Sequence, residues 1–323
     1  MKLSSRAVLT LFVGTSLLAS CGDKKASGPV DGGTDSSSQI RYVGPGYDAS
    51  WSPDGTKIAS NEGDHILILS LVDSSVTMLT IPPDNIPPSH DWWDEEPSWS
   101  PDGHWILFSG KARDWPASDE DADLWRYPAT GGKPERVTSN LLGTETQPHW
   151  SPDGRWIAYY EFSYPIGDDY REVIAIMPAE GGDPRVLAVD QAGSAFRMSW
   201  SPDGQWIAYA SRGEGLYDQF LRVRSVSDTS ITRIVTRATA DTMICEDCTW
   251  SPDGQTIAFV QLSLRAPYNK TIWTVPASGG TPQPLYLGSD QLPCCFDGPS
   301  YSPDGSHLAL THGGIIVVPS AGL

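Results

Sequence analysis

The chain is 323 residues long and carries 40 acidic against 22 basic side chains, a formal charge of −18. That balance excludes nucleic acid as a partner, since affinity for phosphates is built from Lys and Arg; it leaves open whether the acidity serves solubility or draws in cations and basic proteins. No run after residue 38 approaches the ~20 apolar residues of a membrane-spanning helix, so the residues beyond it are expected to form a soluble body.

The first element is an export signal: Lys2 and Arg6 precede an uncharged run from Ala7 to Leu18, and small residues follow. Leu18-Ala19-Ser20-Cys21 resembles the lipobox of bacterial lipoproteins, which implies cleavage before Cys21 and lipid on the new N-terminus. Residues 1–20 are therefore expected to be a signal peptide and 21–38 a flexible tether. From Gly22 to Ser38 only Ala26, Pro29 and Val30 offer anything to bury, too little to offset the entropy of ordering. Losing Lys2 and Arg6 with the signal moves the charge from −18 to −20. Residues 39–323 are then a body held at a bacterial envelope membrane by its lipid, with the outer membrane the expected site and either leaflet open.

The body is a repeat. Trp-Ser-Pro-Asp-Gly begins at Trp51, Trp99, Trp150, Trp200 and Trp250, and Tyr-Ser-Pro-Asp-Gly at Tyr301, at spacings of 48, 51, 50, 50 and 51. Proline presets φ at the first central position of a type I turn, aspartate tolerates the second, and glycine supplies the positive φ that closes the hairpin. Each turn is followed by an apolar run such as Ile58-Ala59 or Ile157-Ala158-Tyr159, then by a third strand such as Ile66 to Leu69 or Ile272 to Val275. Second turns (Pro128 to Gly132, Pro178 to Gly182, Pro276 to Gly280) lead into fourth strands. Four strands per unit make a propeller blade. The aromatic ahead of each turn is expected to wedge between blades. Gln39 to Val43 precedes the first repeat and supplies the fourth strand that the last repeat lacks, so the two ends should share one sheet and close the ring without a bare edge.

These repeats resemble those of the TolB-like six-bladed propellers, with their Trp-Ser-Pro-Asp-Gly signature followed by Ile-Ala-Phe. The resemblance covers residues 39–323 and implies an all-β, six-bladed propeller with four antiparallel strands per blade.

In such a ring the short Ser-Pro-Asp-Gly and Pro-Ala-x-Gly-Gly turns share one face. The opposite face collects the irregular loops, where functional residues concentrate. Those loops include Pro82 to Pro97 and Lys111 to Asp123, in which aromatics interleave with acids, while Tyr164 to Tyr170, Gly213 to Asp218 and Leu264 to Tyr268 add tyrosines from later blades. Where the innermost strand enters the channel stand Asp48, Glu96, Glu145, Asp247 and Asp297, with Arg197 in blade 4. Five carboxylates aimed at one axis would form a collar able to take a divalent cation such as calcium, or the basic end of a partner. The same groups would serve equally to accept backbone amides in the entry turns.

Cys245, Cys248, Cys294 and Cys295 lie in the entry loops of blades 5 and 6 and are disulfide candidates in an oxidising compartment, with three pairings open. The mature chain has no His-Glu-x-x-His, phosphate loop or Gly-x-Ser-x-Gly, so no catalytic residue is assigned. The favoured reading is a non-catalytic binding or scaffold protein taking a protein, peptide or saccharide on the loop face. A carbohydrate-active lyase or hydrolase, or a peptide-active enzyme, with its site at the channel mouth is the competing one.

Overall fold

Every repeat folds into one antiparallel sheet of four strands, and there are six such sheets. The computed structural model describes residues 40–82, 92–112, 122–138, 143–163, 171–190, 198–212, 219–239, 241–265, 270–286 and 296–321. In blade 1 the strands Tyr47–Trp51, Lys57–Glu62, His65–Ser70 and Val76–Met78 follow one another outwards from the channel. Blade 6 differs in its outer strand, which comes from the other end of the chain. Arg41–Gly44 pairs antiparallel with Ile315–Pro319, setting Arg41 opposite Val317 and Tyr42 opposite Ile316.

The Ser-Pro-Asp-Gly turns are near-identical. In each, the Gly N–H donates to the Ser carbonyl at 2.8–2.9 Å and the glycine φ lies between 67° and 73°. The Ser hydroxyl donates to the Asp carboxylate at 2.5–2.6 Å and accepts the N–H of the residue five positions on. Those bonds hold the carboxyls of Asp54, Asp102, Asp153, Asp253 and Asp304 below the usual range. The turn glycine also meets the proline of the preceding blade; a Cβ on Gly103 would stand 3.2 Å from Pro53.

The core is divided into six apolar clusters, one at each junction between blades. The recurring Ile-Ala pair explains how. On the second strand successive side chains point to opposite faces, so Ile58, Ile157, Ile207 and Ile257 face the preceding blade. Ala59, Ala158, Ala208 and Ala258 face the following one. The small alanine leaves room for the next blade's aromatic: Trp99 sits with Ala59, Trp200 with Ala158 and Trp250 with Ala208. The tryptophans are thus the wedges expected of them. Some also bridge by their ring nitrogen, as Trp51 does to the Ser300 carbonyl at 3.0 Å and Trp200 to the His149 carbonyl at 3.2 Å.

One stretch departs from the sequence reading. Trp92 to Pro97, expected to belong to a loop, is part of the innermost strand Trp92–Trp99. Its acid-rich sequence hides a strand alternation in which Trp92 and Asp94 are both buried. Asp94 is tolerated there because the Thr80 hydroxyl and the Tyr127 hydroxyl both reach its carboxylate at 3.0 Å.

Candidate functional site at the channel mouth

The innermost strands do not run straight into the channel. Their register against the second strand slips between Tyr47 and Ser50, Glu95 and Ser98, Thr146 and His149, Cys245 and Cys248, and Asp297 and Ser300. At four of these bulges the residue three before the aromatic takes a left-handed backbone, with φ 61° at Asp48, 57° at Glu96, 53° at Gln147 and 58° at Gly298. Glycine adopts this freely and aspartate tolerably, whereas Glu and Gln do so at a cost of about 1–2 kcal/mol. Bulges of this kind re-aim side chains, here toward the axis.

Asp48, Glu96, Gln147 and Asp247 consequently line one cavity of about 130 Å³, together with His149 and the Cys248 position. Two of the carboxylates also tie neighbouring blades together. Glu96 Oε2 accepts the Gln147 N–H at 2.6 Å and the Ser109 hydroxyl at 3.3 Å, and Asp247 Oδ2 accepts the Gly298 N–H at 2.8 Å. With the Asn61 amide turned so that its nitrogen donates, that nitrogen lies 2.9 Å from Asp48 Oδ2. Backbone amides therefore take one oxygen of Glu96 and one of Asp247.

Burial raises the Glu96 carboxyl to about 7 despite the Gln147 amide, and the Asp247 charge adds to the rise. Glu95 is likewise lifted to about 7 by burial and by the Glu96 charge. His149 is held down to about 4 by burial, against the pull of Asp247. At neutral pH the imidazole is uncharged, and the cavity offers carboxyl oxygens to a cationic or multiply donating group.

The other two expected collar acids stand elsewhere. Glu145, five residues before Trp150 rather than three, is fully buried between blades 2 and 3, where the Thr138 hydroxyl donates to it at 3.3 Å. Asp94 occupies the same position in blade 2 and takes Thr80 in the same way. Burial, then the Asp123 charge, lifts Glu145 to about 8. Asp297, four before Tyr301, is half exposed and paired with Lys270 at 2.7 Å. The reason is strand parity: only the residue at the bulge is turned to the axis, and a shift of one or two positions sends a side chain to a blade junction or outwards.

His149 escaped the sequence reading although a signal existed. The residue before each aromatic is Ser50, Ser98, Ser199, Thr249 and Ser300 in five repeats and His149 in the sixth. Arg197, Cys294, Cys295, Asp91, residues 113–121, 164–170 and 213–218 lie outside the described residues, as does the Cys245 side chain. Cys248 is buried at the junction of blades 4 and 5, and burial raises its thiol. Among the described residues there is no disulfide, and no group of three or more His, Cys, Asp and Glu is placed to hold a metal ion.

The class these features define is the six-bladed β-propeller with the TolB-like fold. No family model matches the sequence. Two curated proteins match locally. Dipeptidyl-peptidase 5 of Porphyromonas gingivalis is 33% identical over 67 residues, 20% of this chain and 10% of its own length. The uncharacterized protein Atu1656 of Agrobacterium fabrum is 30% identical over 133 residues, 40% of each. The chain thus spans well under half of either relative. Among solved structures, a putative TolB from Agrobacterium tumefaciens superposes with a TM-score of 0.59 at 22% identity, covering 82% of this chain and 87% of that one. Oligogalacturonate lyase in complex with manganese gives 0.58 at 17%, covering 86% and 77%. At these identities the likeness is one of fold, which by itself assigns no activity.

Proposed function

We propose that this protein is a non-catalytic binding or scaffold lipoprotein of the bacterial envelope, held by lipid on Cys21, that takes a basic group of a protein or peptide partner at the channel mouth. The observation that supports this most directly is the convergence of Asp48, Glu96 and Asp247 on one cavity of about 130 Å³. That volume suits a few waters or one amine or guanidinium and is small beside the ~300–1,000 Å³ of sites that enclose a drug-sized ligand. A protonated amine would meet the carboxyl groups of Asp48, Glu96 and Asp247 together, and its charge would offset the burial and the Asp247 charge that lift Glu96.

A cation such as calcium would act through the same charge, so the two are separated by probe. Short peptides carrying one lysine, or norleucine in its place, are compared in thermal melts, with and without calcium and chelator. The lysine peptide is expected to stabilise the protein by linkage, and Glu96→Gln with Asp247→Asn to abolish the effect. Equal shifts from both peptides, or a shift from calcium alone, would discard the basic-partner reading. The competing enzymatic reading draws little from Asp94 and Glu145, which are sealed between blades and already hold threonine hydroxyls.

A further inference from the structure

The outer edge of blade 1 is unlike the other five. Its strand Val76–Met78 is exposed throughout, and from Ser74 to Pro82 there is no charged residue. Every other outer strand carries a charge or a proline: Arg41, Glu135 and Arg136, Arg185 and Asp190, Arg233 and Arg237, and Pro284. Charge and proline are how open strand edges are kept from sticking. Blade 1 also leaves Val72 79%, Val76 49% and Met78 59% exposed, and Tyr42 on the adjoining outer strand of blade 6 is 56% exposed. The only carboxylate within this stretch, Asp73, is folded back onto the Ser75 N–H and hydroxyl at 3.0 and 2.8 Å.

This apolar edge lies where the chain enters the body. The Arg41 guanidinium donates to the Leu71 carbonyl at 2.9 Å, which sets the first residues of the ring beside the Val72 hairpin. Upstream of Ile40 only the stretch from Cys21 to Gln39 separates this point from the expected lipid. Such a tether spans at most ~65 Å and averages about 25 Å as a flexible coil.

We propose that the blade 1 edge, from Val72 to Met78, rests on the bilayer surface, so that the anchored ring stands on its rim with the channel mouth opening sideways. An acidic body approaches a bilayer where its charge is sparsest, and the exposed Asp73 at the turn stays at headgroup level. Valine and methionine side chains can sink into the acyl boundary. The inference rests on the reading that Cys21 carries lipid.

The test uses the lipidated mature protein in phosphatidylcholine vesicles, with the Cys21→Ala chain mixed with the same vesicles as reference. Flotation reports the anchor, and amide hydrogen exchange reports the edge. Exchange across Ser70–Leu79 is expected to slow about ten-fold in the floated protein, as burial of one or two such side chains would give. The outer strand Arg185–Asp190, whose Val186 and Val189 are 52% and 49% exposed, should not change. A lipidated Val72→Asp, Met78→Glu variant is expected to float while losing the protection. Flotation of the wild type without protection of 70–79, or with equal protection of 185–190, overturns the edge proposal and leaves the anchor standing. Failure to float overturns both.

Discussion

Glu145 shows how a single carboxyl can be both fold determinant and pH sensor. Its pKa rises on folding from 4.5 to about 8, so the native state binds the proton more tightly than the unfolded chain. Its contribution to stability is therefore best below about 4.5, falls as pH rises toward 8, and is level beyond. Asp94, lifted to about 6, and Glu95 and Glu96, lifted to about 7, act in the same sense over narrower windows. The melting temperature is expected to fall between pH 5.5 and 8.5, by several degrees for a body of this size. Glu145→Gln should flatten that slope, which melts of both proteins across the range would check; an unchanged slope would mean that Glu145 is ionised without penalty. At the turn face, Gly103→Ala combines a φ of 73° with a 3.2 Å approach to Pro53. It should cost about 1–2 kcal/mol, readable in urea unfolding against a Gly63→Ala control, whose φ is 60° and whose Cβ meets nothing within 4 Å.

At the level of the strand, the decisive piece is Arg41–Gly44. Removing it would bare the Ile315–Pro319 edge, take Val43 from the junction of blades 6 and 1 and open the place where, among the described strands, distant chain segments pair to join the ring. Deletion of residues 39–43 is expected to lower the melting temperature substantially, whereas deletion of 23–36 should leave it unchanged. Equal melting points for the two deletions would show that ring closure adds nothing. The bulge before the aromatic in blades 1, 2, 3, 5 and 6 is the second such element. It makes three of the acids a site while consigning Glu145 and Asp297 to other work.

For the molecule as a whole, anchoring and folding are separable if tether and ring are independent. Cys21→Ala is expected to melt with the wild type yet move from the membrane pellet to the soluble fraction of the cell envelope. Persistence of the variant in salt-washed membranes would place the anchor elsewhere. The channel variants Glu96→Gln and Asp247→Asn should behave in the opposite way, staying with the membrane while losing the lysine-peptide effect.

Much of this architecture can be read from residues alone, because its determinants are local and repeated. Pro, Asp and Gly specify each turn through their own backbone preferences. The Ile-Ala pair states which side of the strand is large and which is small, and the six motifs at near-constant spacing count the blades. The orphan strand at Gln39 to Val43 even reveals the seam. Strand parity at the channel was not legible, since a bulge adds a residue without marking the sequence: Glu96 and Glu145 look alike as acids shortly before an aromatic. One is turned to the axis and the other sealed against Thr138. His149 needed alignment of the repeats to stand out, and its meeting with Asp247, a hundred residues away, exists only because the ring brings innermost strands to a common centre. Local chemistry thus determined the blade and the number of blades. Which side chains share the channel was decided by the closure of the ring, a long-range packing event that no stretch of sequence encodes by itself.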